Sequence, residues 1–110
     1  MGMQTSARLM YGIALPEEIE DTEVDDVINA NPGLAELSHA WAGTWSGGTR
    51  YLVAYYACAD LGRPETIPAD ELHPVQIVHW DARLRVAWEA LGFVAEDMRT
   101  PVWILAANCT

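Results

Sequence analysis

Seven carboxylates crowd into ten positions of this 110-residue chain: Glu17, Glu18, Glu20, Asp21, Glu23, Asp25 and Asp26, with no base among them. A run of this kind has two uses. It can stay solvated and keep the protein soluble, or it can steer and dock a partner rich in Arg or Lys. The remaining reactive residue types are scattered. His39, His73 and His79 fall on separate segments and lack a cysteine or a second histidine at the two-to-four spacing of a metal site. Cys58 stands in Tyr55-Tyr56-Ala57-Cys58-Ala59, a run with no cation to draw out a thiolate, so it acts as a nucleophile only if a base such as His39 is folded beside it. Asp60 with His73 or His79 offers an acid/base pair, but the spacing suits a turn-capping aspartate equally well. A chain without lysine cannot form the Gly-Lys-Ser/Thr phosphate loop. No catalytic residue, metal or cofactor is assigned.

Composition narrows the choice of partner. Six Lys plus Arg, all of them arginine, against sixteen Asp plus Glu give a formal charge of −10. That balance disfavours direct nucleic-acid binding and anionic membranes and favours a basic protein surface. A hydrophobic content of 51% with five Trp excludes a disordered chain. No apolar run approaches the roughly 18 residues of a membrane span, and Leu9 to Leu15 lacks the flanks of a secretory signal. The expected location is the cytoplasm, with Cys58 and Cys109 reduced and buried within their apolar runs. One domain, 1–110, is expected, with 1–7 flexible or tag-derived, and folding buries about two-thirds of its extended surface.

Hydrophobic period places the elements. Arg8 to Leu15 alternates and stops at Pro16, which predicts a first strand. Thr22, with Asp25 three residues on, predicts the cap of a short helix carrying Val24, Val27 and Ile28 and ending before Asn31-Pro32-Gly33. Leu37 to Trp45 puts Leu37, His39, Trp41 and Trp45 on one face; after Ser46-Gly47-Gly48-Thr49 the chain resumes as a strand over 50–59, giving a hairpin. A loop with one short turn near 69–72 follows. Ile77, Trp80, Leu84, Ala87, Trp88 and Leu91 form one stripe of a second helix that starts between 75 and 81 and stops at Gly92, with Asp81 as a candidate N-cap. Residues 101–109 close as a strand. The reading is α+β: a four-stranded antiparallel sheet, order 4-1-3-2, with two helices on one face, the ferredoxin-like βαββαβ arrangement. Three strands are apolar on both faces, so the open face calls for a cover, most economically a homodimer.

Tyr11-Gly12 in the first strand, the run Trp80 to Arg85, Ala90-Leu91-Gly92 and Pro101 to Leu105 resemble segments of small uncharacterised proteins encoded by phages of high-GC bacteria. The resemblance implies a small accessory or inhibitor protein acting on host or phage macromolecules, and it carries no residue role. The function expected is therefore a binding protein whose acidic run meets a basic partner, with Trp45 and Trp80 anchoring the rim. A dimeric α+β barrel-like small-molecule protein or enzyme, and a DNA mimic, are the competing readings.

Overall fold

The computed structural model describes residues 5–44, 47–60 and 62–109. Its elements in chain order are β1 (Thr5–Ala14), α1 (Asp21–Ala30), β2 (Ser38–Thr44), β3 (Gly47–Asp60), α2 (Pro74–Ala90) and β4 (Val102–Cys109), with single 3-10 turns at Pro32–Leu34, Ala69–Leu72 and Ala95–Asp97. β1 takes in residues 5–7, which the sequence assigned to a flexible end.

Both helices start earlier than their sequence signals predict, for different reasons. α1 begins at Asp21 behind an extended Glu20, so Thr22 lies inside the helix rather than capping it. Its other end is held by Asn31, whose Nδ2 donates to the Val27 carbonyl at 2.7 Å. α2 begins at Pro74, a residue that loses nothing in the first helical turn. His73 is its N-cap, and its Nδ1 accepts from the Val75 amide at 3.2 Å. Asp81 is thereby a mid-helix residue beside the apolar stripe. Its carboxylate is satisfied across the core, accepting from the Tyr11 hydroxyl at 2.7 Å. Burial, reinforced by that bond, pushes the Tyr11 hydroxyl up to about 12. α2 ends where expected, at Leu91 and then Gly92, whose φ of 95° few side-chain-bearing residues adopt.

The sheet is antiparallel in the order β2-β3-β1-β4, which reads 4-1-3-2 from the other edge. β1 pairs with β4 in unbroken register from Thr5↔Cys109 to Gly12↔Val102, whereas its pairing with β3 shifts by a residue between Tyr11 and Gly12. Alternation sends Tyr11, Ile13 and Leu52 to one face. There they join Val24 of α1 and Trp80, Leu84, Ala87 and Trp88 of α2 in the main core. Both helices thus cover the same face. Full burial of a residue such as Leu84, Ile13 or Leu52 is worth about 1.5–3 kcal/mol each. Aromatic rings close the centre: Tyr11 lies 5.6 Å from Trp80 and 4.9 Å from Trp103, and Tyr55 lies 5.0 Å from Trp80.

The opposite face is less bare than its lack of helices suggests. Met10, Val53 and Ile104 are buried there against Ala40, Ala42 and Tyr51. On the same side Arg8 spans from β1 to β2, its Nη2 donating to the Trp41 carbonyl at 2.8 Å. The sheet therefore buries the middle of its own second face without a partner, while Tyr56 and Val102 stay exposed on it. Cys58, expected to be buried, is instead a free, exposed thiol, because alternation sets it opposite Arg8 on the face without helices; β1 separates its strand from β4.

Candidate functional site

The β2–β3 pair sets His39 opposite Leu52 and Trp41 opposite Arg50, on the face that carries the helices. This brings two basic side chains beneath the acidic run. Arg50 Nη1 donates to Asp21 Oδ1 at 2.6 Å; its Nη2 donates to the Ile19 carbonyl and, at 3.4 Å, to that of Glu17. His39 Nε2 lies 2.9 Å from Asp25 Oδ1 and donates to it, since an ionised carboxylate only accepts. His39 Nδ1 is 3.8 Å from Asp21. The hydrogen bond from Arg50, aided by its charge and that of His39, holds the Asp21 carboxyl below its ordinary range.

The seven acids therefore divide. Asp21 and Asp25 are tied down by strand residues. Glu17, Glu18, Glu20, Glu23 and Asp26 are exposed and form no ion pair among the described residues. Arg50 also fixes the turn that carries Glu17 and Glu18, so these carboxylates project from an anchored backbone.

Beside that turn lies an open cavity of about 540 Å³, lined by Leu15, Glu17, Glu18, Trp41, Gly48, Thr49, Arg50 and Arg99. Trp41 is 50% exposed in its wall. Its ring rests on Gly48, where an added Cβ would stand 2.7 Å from Trp41 Cζ2. The wall sets the carboxylates of Glu17 and Glu18 against the guanidinium groups of Arg50 and Arg99, so it is balanced in charge, and the exposed Trp41 ring is its flat apolar contact surface.

Of the two tryptophans expected at the rim, Trp80 is in the core at 7% exposure, enclosed by Tyr11, Tyr55 and Trp103, because it lies on the inward stripe of α2. It is unavailable as a surface anchor. Trp45 lies outside the described residues. Trp41, Arg50 and His39 take the place by the acidic run, and the hairpin's two-residue alternation, which put His39 and Trp41 on one face, was the signal for them.

Among the described residues no group of three or more His, Cys, Asp or Glu side chains is placed to hold a metal ion. Nor is any described helix long and apolar enough to cross a membrane. No family model, curated protein or solved structure matches the chain.

Proposed function

We propose that the chain is a binding protein of accessory or inhibitor type, on a ferredoxin-like βαββαβ scaffold, that docks a basic protein surface with the edge formed by α1, β2 and the turn before α1. The observation that carries this reading is the division of the acidic run. Arg50 and His39 use up Asp21 and Asp25 as anchors and leave Glu17, Glu18, Glu20, Glu23 and Asp26 exposed around the half-exposed Trp41. Chain order and the strand order β2-β3-β1-β4 support the scaffold. Fixed charge of one sign raises the encounter rate with an oppositely charged partner, and an aromatic anchor supplies affinity. A DNA mimic needs acids arrayed over a whole face, and here seven of the sixteen are concentrated in one segment.

The test is to replace Glu18, Glu20, Glu23 and Asp26 by Gln or Asn, leaving Asp21 and Asp25 in place. Association is then measured by surface plasmon resonance with the partner captured from a lysate. The association rate should fall on the order of tenfold at low salt, and Trp41→Ala should speed dissociation. An unchanged association rate in a folded variant makes the run a solubility feature and ends the proposal.

A further inference from the structure

We propose that the opposite edge of the sheet is a self-association edge, where two copies of this chain pair β4 with β4, antiparallel, into one continuous sheet. β4 is the outermost strand beside β1. A strand in that place leaves every other backbone N–H and C=O facing outward, an open template for another strand. Proteins usually guard such an edge with charge, proline or a bulge. β4 has none of these: Val102 to Cys109 reads VWILAANC, and its register with β1 is unbroken over its whole length. Apolar side chains flank the open edge on both sides. Leu105, 79% exposed, and Trp103, 41%, stand on the helix side, and Val102, 43%, on the other.

β4 is the edge where a second copy meets least electrostatic opposition. The chain carries −10, so two copies repel wherever their acids meet. They meet at the β2 edge, where His39 lies under Asp21 and Asp25. At β4 they do not. An antiparallel pair of identical strands is two-fold symmetric, so each uncharged residue faces an uncharged one. Glu96, Asp97 and Arg99, just before β4, would come beside the far end of the partner strand, where residues 108 and 109 carry no charge. Beside Leu105 a small cavity of about 140 Å³ is bordered by Arg8 and Glu65, one charge of each sign.

The outward valines of α2, Val75, Val78 and Val86, offer a rival interface, and the experiment separates the two. The whole chain is taken through sedimentation or light scattering over a concentration series, and amide exchange is followed along β4. The expected result is a dimer in which alternate β4 amides gain protection as concentration rises. Leu105→Lys sets two like charges close to the dyad; it should weaken the dimer on the order of tenfold or more, with the circular dichroism spectrum unchanged, because the side chain is exposed. Val86→Lys should leave the dimer intact. The proposal is overturned by a monomer at every concentration, by outward β4 amides that exchange freely in a dimer, or by a dimer that Val86→Lys dissociates and Leu105→Lys does not. None of these results bears on the acidic edge, which is tested separately through its association rate.

Discussion

The two edges of this sheet differ in almost every property that governs association. Along β2 the backbone lies beside α1, whose Asp21 and Asp25 are bound by Arg50 and His39, and five further carboxylates in the same region form no ion pair among the described residues. Along β4 there is no charge in eight residues and Leu105 is largely in solvent. The contrast separates two ways of handling an open edge. Negative charge repels like copies and favours positive charge, while an uncharged strand leaves its backbone open to another strand and sets two acidic copies against each other least. Arg50 is the residue on which the acidic edge depends. Without it, the carbonyls of Glu17 and Ile19 and the carboxylate of Asp21 lose a common donor.

The largest effect is therefore expected from Arg50→Ala. It should destabilise the fold by about 1–3 kcal/mol, the usual cost of stranding partly buried hydrogen-bond partners, measured by denaturant unfolding. Amide exchange should quicken at residues 17–21 and stay unchanged along β4. An equal loosening of both edges would show that they are not independent. Next comes salt. Raising it from about 0.01 M to about 0.15 M shortens the screening length from roughly 30 Å to roughly 8 Å. Binding of a basic partner at the acidic edge should weaken several-fold while self-association at β4 tightens, because one process joins opposite charges and the other joins like ones. Two equilibria that move in the same direction would collapse the distinction between the edges.

The smallest effect is the titration of Asp21. Its carboxyl is held below its ordinary range in the folded chain. The stabilisation from Arg50 is therefore complete above the unfolded value of about 3.9 and fades as pH falls through the lower folded value. The difference in melting temperature between the wild-type chain and Asp21→Asn should be constant from pH 5 upward and shrink below pH 4. No difference between the two at pH 6 would mean that Arg50 anchors the turn through the backbone carbonyls alone.

Much of the fold is legible from neighbouring residues, because strand and helix periods are local properties of the chain. The alternation from Arg8 to Leu15, the stripe from Ile77 to Leu91, the stop at Gly92 and the short turn near 69–72 all appear within a residue or a few of their predicted places. Helix starts are less legible. Thr22 has the right side chain for a cap, yet the helix starts two residues earlier, behind Glu20, where Asp21 is held by Arg50, 29 residues away in sequence.

The candidate site was half legible. The sequence by itself determined that seven carboxylates lie together, that the net charge is −10, and that the chain alternates sheet and helix segments in a fixed order. These follow from composition and from contacts a few residues apart. Only the tertiary structure decided that Arg50 and His39 tie down two of the seven acids, that Trp80 belongs to the core while Trp41 faces solvent, and that Tyr11 satisfies Asp81. Each of these depends on which strand lies beside which and in what register. Pairing sets residues tens of positions apart face to face, and no local pattern carries that distance.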